Sequence, residues 1–299
     1  MRVPGARPLR RCLAVCAALL LAMGVAPATR ADGQHVFWEI AGRHNTVYLL
    51  GSVHLLHESD RALPDVTEAA YLDAETIVEE LDILAATTQM LDPAVLAQQF
   101  LPEGQTLPAL LGPELNARLQ VAAQEAGLDA DYLVRMQPWF VATMLSSLRY
   151  AKAGYNPQDG VDYQIAMRAQ RDGKPLQGLE TVADQLGFFA AMPMEQQRRF
   201  LAATLDEANP ETELREATAA WRRGDLASLE ELLRSGAEEM PEFFDRIVVE
   251  RNLNWLPRIE KMLADPKDDY LVVTGALHMV GEQGLVELLR RKGYTVTRK

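Results

Sequence analysis

The chain has 299 residues, 48% of them hydrophobic and 24% charged, with a formal net charge of −12. The composition is globular, and the acidic balance argues against nucleic acid and against an anionic membrane face as partners. Both cysteines, Cys12 and Cys16, lie before residue 32, so a mature chain has no disulfide, thiolate ligand or thiol nucleophile.

At the N-terminus, Arg2, Arg7, Arg10 and Arg11 precede an apolar run from Cys12 to Met23, and Ala26-Pro27-Ala28 and Ala31 follow as small residues. A charged start, a short apolar core and an Ala-x-Ala site mark residues 1–31 as a secretory signal peptide. The run of about 12 residues is too short for a membrane-spanning helix, which needs roughly 20. Residues 32–299 then carry 25 basic and 42 acidic residues, a formal charge of −17. They are expected to form one periplasmic or secreted domain with no membrane attachment.

The mature chain opens with a hairpin pattern: a strand over His35 to Ile40, turn residues 41–45, and a strand over Thr46 to Leu50 that ends at Gly51. Asp65 to Ala74 reads as a helix, and Glu75 to Val78 as a core strand running into Glu79-Glu80-Leu81-Asp82. From residue 84 to about 240 the pattern is mainly helical, broken by one strand, Lys174 to Leu179, that closes on Glu180. A long helix follows from Pro241 to about Leu263. The last unit is a strand over Tyr270 to Thr274, a helix from about Gly281 to Arg291 stopped by Lys292-Gly293, and a strand over Tyr294 to Thr297. Strands alternating with helices predict an α/β fold with a central, mostly parallel sheet, helical cover and a long helical insertion over about 84–240.

One short similarity recurs within the chain. Val47 to His54 and Leu271 to His278 are each a core strand, then Gly, two residues and His. Glycine at such a strand end permits positive φ and close backbone approach. Ligands of open α/β sheets collect beyond the carboxyl ends of the strands, and His54, Glu80, Glu180 and His278 all fall at such ends. Two imidazoles with one or two carboxylates suit a divalent ion such as Zn²⁺, Mn²⁺, Co²⁺ or Fe²⁺. Each residue also has a structural reading: the histidines as loop hydrogen-bonders, Glu80 in a solvated cluster with Asp82, and Glu180 at a helix N-terminus. Alternation along the strand lets only one of Glu79 and Glu80 face the same way as the inward set.

Along the long helix, Phe244, Ile247, Val248, Trp255, Ile259 and Met262 form an apolar stripe, and Arg251 interrupts it. A buried guanidinium needs a carboxylate partner or a polar pocket, and Asn252 lies beside it. Pro257 should kink this helix. His57 reads as a loop residue, His35 and His44 as hairpin residues, and Ser52 as a poor nucleophile.

These segments together resemble the TraB/GumN family, which includes the Tiki proteins: Phe37-Trp38-Glu39-Ile40, Tyr48 to Leu56 with its Gly-x-x-His, Glu80-Leu81-Asp82, Gly178-Leu179-Glu180-Thr181, Arg251-Asn252 and Gly275 to Gly281. The resemblance spans nearly the whole mature chain. It implies an α/β fold with paired Gly-x-x-His motifs and, by way of the Tiki branch, metal-dependent peptide cleavage. Carried over residue by residue, it implies a metal held by His54, His278 and Glu80, supported by Arg251, Asn252 and Glu180. Three readings stand at this point. The first is a metal-dependent hydrolase acting on peptides, with Glu80 or Glu180 helping the two histidines hold the metal, the remaining carboxylate as general base, and Arg251 and Asn252 stabilising the oxyanion. The second is a protein that binds a peptide or small ligand without turnover, and the third is a metal-independent, esterase-like hydrolase.

Overall fold

Long apolar runs in this sequence become buried strands. The computed structural model describes residues 34–206 and 210–299. Six strands, β1 (Phe37–Ala41), β2 (Thr46–Ser52), β3 (Thr76–Leu81), β4 (Leu176–Glu180), β5 (Tyr270–Gly275) and β6 (Val296–Arg298), form one sheet in the order β4-β3-β5-β2-β1-β6. Strands β4, β3, β5 and β2 are parallel, and β1 is antiparallel to both β2 and β6. The fold is thus α/β with a mostly parallel sheet, as the alternating pattern predicts. Every residue of β5 and all but the last of β3 are buried, as strands covered on both faces require.

Helix α1 (Asp65–Asp73) connects β2 to β3. Between β3 and β4 come α2 (Ile83–Gln89), α3 (Pro93–Ala97), α4 (Leu107–Glu125), α5 (Pro138–Lys152) and α6 (Val161–Asp172). Between β4 and β5 come α7 (Val182–Ala190), α8 (Met194–Asp206), α9 (Pro210–Arg223), α10 (Leu226–Glu239), α11 (Pro241–Phe244) and α12 (Arg251–Leu263), and α13 (Leu285–Arg291) leads into β6. Helix α12 packs against β2 and β4, and α6 against β3 and β4.

Some boundaries differ from the sequence expectation. The last helix begins at Leu285, because Gly281 adopts φ +78° and its carbonyl closes a turn on the Gly284 N–H. The final strand starts at Val296, and the first at Phe37. The expected Pro241–Leu263 helix contains a π-helical stretch, Asp245–Glu250, between α11 and α12. Pro257 lies inside α12 as a helical residue. The expected signal peptide, residues 1–31, lies outside the described residues. Among the described residues no helix is long and apolar enough to cross a membrane.

The sheet register sets the position of the site. Ser52 pairs with Gly275 across β2 and β5, Glu79 pairs with Val273 across β3 and β5, and Leu81 pairs with Glu180 across β3 and β4. The carboxyl ends of four neighbouring parallel strands therefore stop at nearly the same level, where such sheets bind ligands.

Candidate functional site

The two Gly-x-x-His segments leave adjacent strands and touch. A Cβ at Gly51 would stand 2.4 Å from Val36 Cγ1 and 3.1 Å from Ala276 Cα. Close approach, not positive φ, is what requires glycine here: neither Gly51 nor Gly275 has positive φ, and Gly275 sits at −49°. The Gly51 carbonyl accepts from Trp221 Nε1 of α9 at 2.6 Å. Past Gly275, residues Ala276–His278 make one 3-10 turn and carry His278 into full burial.

His54 Nε2 lies 3.7 Å from Glu80 Oε1, and His278 Nε2 lies 3.8 Å from the same oxygen. Both rings are fixed from behind. His54 Nδ1 bonds to Asp162 Oδ2 at 2.8 Å, and the other Asp162 oxygen accepts from Ser52 Oγ at 2.7 Å. His278 Nδ1 bonds to Asn252 Oδ1 at 2.7 Å. The Asn252 amide nitrogen donates to the carbonyls of His278 (3.2 Å) and Gln283 (2.8 Å). That orients Oδ1 as an acceptor, so the His278 proton lies on Nδ1 and the lone pair on Nε2.

Arg251 joins the two carboxylates. Its Nη2 donates to Glu80 Oε2 and to Glu180 Oε1 (2.8 Å), and its Nε donates to Glu180 Oε2 (3.2 Å). Glu180 also accepts from Trp255 Nε1 and Gln185 Nε2, both at 3.2 Å. Glu80 Oε1 accepts from the Gly275 N–H at 2.7 Å. Burial alone would raise the Glu80 pKa, but Arg251 and the Gly275 N–H outweigh it and hold the group ionised, well below the usual carboxylate range. Burial dominates at Glu180 and lifts its pKa despite Arg251. At His278 burial pushes the pKa down to about 3, so the ring is neutral. At His54 burial pulls the same way, but the charges of Asp162 and Glu80 prevail and raise it to about 9.

The structure therefore brings His54, Glu80, Glu180, Arg251, Asn252 and His278 together. It leaves others outside. Asp82 caps α2, accepting from the Leu84 and Ala85 N–H groups. Thr181, not Glu180, caps α7, in a capping box with Asp184. His57 packs edge-on to Tyr155 and faces the Ala153 carbonyl. His44 lies in the β1–β2 turn. The alternation expected at Glu79 and Glu80 puts neither in solvent. Glu79 is 1% exposed with neither oxygen hydrogen-bonded, and burial, reinforced by Asp162, Asp82 and Glu80, keeps its pKa well above the usual range.

The TraB/PrgY/gumN family model matches residues 36–298. The chain belongs to the TraB/PrgY/gumN family. YbaP of Escherichia coli K12 is 24% identical over 270 residues, which cover 86% of this chain and 94% of YbaP. Metalloprotease TIKI2 of Danio rerio is 24% identical over 308 residues, or 83% of this chain and 57% of TIKI2. Human Metalloprotease TIKI1 is 23% identical over 305 residues, or 83% of this chain and 59% of TIKI1. The chain thus aligns with well under two thirds of those two TIKI proteins. No solved structure matches it.

In this TraB/PrgY/gumN chain, two members of the cluster have no counterpart in the sequence reading. Asp162 lies in the first turn of α6, where an acid is commonplace, and nothing local ties it to a histidine 108 positions away. Trp221 reads as an ordinary core residue of an amphipathic helix. The glycine before α6 is the one available signal for Asp162: a Cβ at Gly160 would stand 2.0 Å from the His54 carbonyl oxygen.

The donor set suits a divalent cation in chemistry. Two imidazoles carry, or can carry, their lone pairs on Nε2, and each is hydrogen-bonded through its other nitrogen, as metal-binding histidines are. Separations of 3.7 and 3.8 Å to the shared Glu80 oxygen are close to the spacing of neighbouring ligands whose bonds to one ion are about 2 Å long. Two carboxylates, Glu80 and Glu180, face a single guanidinium, and a third, Asp162, backs His54. The set is not closed as it stands. Among the described residues no three His, Cys, Asp or Glu side chains are arranged to hold a metal ion, and Arg251 Nη1 lies 3.2 Å from His278 Nε2.

Proposed function

We propose that this chain is a periplasmic metal-dependent hydrolase that cleaves peptides, with His54, His278 and Glu80 as the residues that hold the ion. The observation that carries this reading is the convergence of two imidazole Nε2 atoms on one carboxylate oxygen, each ring anchored through Nδ1. The name metalloprotease, borne by TIKI relatives at 22–24% identity, supports it, as does an N-terminal segment of signal-peptide pattern.

A divalent ion bound there supplies Lewis acidity toward water and toward a scissile carbonyl. The protein's own residues do the rest. Asp162 holds His54 in place, and Asn252 sets the tautomer of His278. Glu80 stays ionised at neutral pH. Glu180, with two donors on each oxygen, keeps Arg251 in position and is not free to act as a base; Arg251 brings positive charge to where an oxyanion forms. The His278 side chain is sealed from solvent, whereas that of His54 is 20% exposed, so substrate approaches on the His54 side.

The test is metal content after reconstitution with Mn²⁺, Co²⁺ and Zn²⁺, beside cleavage of a peptide library. The expected result is about one ion per chain, lost together with cleavage in His54→Ala and His278→Ala proteins that melt as folded chains. A folded wild type that takes up none of the three ions overturns the proposal. A second reading has its own observation: His54, backed by Asp162 and partly exposed, is a histidine–carboxylate pair able to move protons without a metal. Turnover insensitive to chelators selects it, and the chain is then an esterase-like hydrolase.

A further inference from the structure

The Arg251 guanidinium has five N–H groups, and all five are engaged. Nε and one Nη2 hydrogen go to Glu180, and the other Nη2 hydrogen goes to Glu80. Nη1 donates to the Ile247 carbonyl and to His278 Nε2, each at 3.2 Å. Because Asn252 fixes the His278 proton on Nδ1, Nε2 has a single in-plane lone pair, and Arg251 uses it. One nitrogen lone pair serves one partner at a time.

We infer that Arg251 and a divalent cation exclude each other at His278 Nε2, so that loading the site is an exchange in which Arg251 leaves His278 and Glu80 and remains on Glu180. This rests on the metal-site reading above and adds how that site is filled. Three of the five contacts, two to Glu180 and one to Ile247, involve no proposed ligand, so the guanidinium keeps an ion-pair partner throughout. Glu180 is itself held for that purpose, by Trp255 Nε1 and Gln185 Nε2. The Trp255 ring lies 4.6 Å from the guanidinium carbon and 4.5 Å from the His278 ring, so it offers a surface along which the cationic group can shift. Ile247 belongs to the π-helical stretch, a geometry frequent at functional sites. Glu180 and Trp255 are therefore positioning residues for Arg251, and Arg251 sets the affinity of the site.

The experiment is calorimetric titration of Mn²⁺ and Zn²⁺ into the purified wild type, Arg251→Gln, Arg251→Lys and Glu180→Gln proteins. ¹⁵N NMR of labelled histidine follows the His278 Nε2 resonance in parallel. Arg251→Lys serves where Arg251→Gln does not fold, since it keeps the charge but lacks the fork. Removal of the competitor tightens binding by about fivefold or more, within the usual range of coupling between sites. Glu180→Gln, which removes the receiving charge, weakens it by a comparable factor. A structural role for Arg251 alone would weaken binding in every variant. Ion binding by an Arg251 variant but not by wild type supports exclusion in its strongest form. Equal or weaker binding by both Arg251 variants, with wild type still binding, overturns the inference. Absence of binding by wild type and by every folded variant overturns the metal-site reading instead.

Discussion

At Gly160 an added Cβ would stand 2.0 Å from the His54 carbonyl oxygen and 2.5 Å from its carbon, although the backbone there, at φ −59°, suits any residue. The first turn of α6 rests directly on the first Gly-x-x-His, and the Val161 N–H bonds to the Val53 carbonyl at 3.0 Å. Gly160→Ala therefore pushes α6 away and separates Asp162 from His54. The expected cost is about 2 kcal/mol, in the range of overpacking substitutions, with weaker ion binding as a second effect. Urea midpoints of wild type and variant measure the first, and an unchanged midpoint would show that the contact yields without strain. Residues of this kind are hard to read from sequence. His54, Glu80, Glu180, Arg251, Asn252 and His278 stand out because each breaks a local pattern: a repeated strand-Gly-x-x-His, a carboxylate at a strand end, a cation in an apolar stripe. Asp162 and Trp221 break none. An acid in a first helical turn and a tryptophan on a helix face satisfy local rules whatever lies opposite, so only the tertiary packing reveals them.

The long helix behind the site shows the same limit for an element. Its buried residues come in pairs four apart: Phe243 and Phe244, Ile247 and Val248, Arg251 and Asn252, Trp255 and Leu256, then Ile259 and Leu263. An α-helix repeats every 3.6 residues, so a strict interval of four drifts steadily around the axis. The π-helical stretch Asp245–Glu250 absorbs part of that drift with one wider turn. The interval was legible in the sequence, yet an amphipathic pattern of this length reads as a plain helix. Deleting the exposed Glu250 lets the stretch revert to α geometry, and because five α-helical residues at about 100° each turn the chain about as far as six in the wider turn at roughly 80° each, α12 keeps its facing relative to α11. Arg251 and Trp255 then stay on the buried face at the site. The expected outcome is a folded protein that keeps the near-ultraviolet circular dichroism of packed tryptophan, with a modest change in melting temperature. A deletion variant that loses that spectrum and melts far below wild type would show that the stretch does more than accommodate one extra residue.

For the molecule as a whole, strand order was beyond the sequence, because β2 and β5 are adjacent in the sheet though more than two hundred residues apart in the chain. What made the site legible despite that is general: parallel strands align their carboxyl ends, so motifs at strand ends meet whichever strands are neighbours. The same convergence predicts how stability of the ion-free chain depends on pH. His54 has its pKa raised from 6.5 to about 9 in the fold, so below pH 6.5 its contribution is fully present. It is lost as pH climbs through 9, because the folded state then gives up a proton that the unfolded chain has already lost. His278 has its pKa lowered from 6.5 to about 3. The unfolded chain gains a proton there as pH falls below 6.5 while the buried ring cannot, so stability declines toward pH 3. Opposite slopes on the two sides place the optimum set by this pair near pH 6.5. Urea unfolding in chelator at a series of pH values from 4 to 10 measures it. His54→Asn should flatten the alkaline limb and leave the acid limb, since each limb belongs to a different imidazole. An alkaline limb that survives in His54→Asn would mean that the charged His54 is not held by Asp162 and Glu80 as the distances indicate.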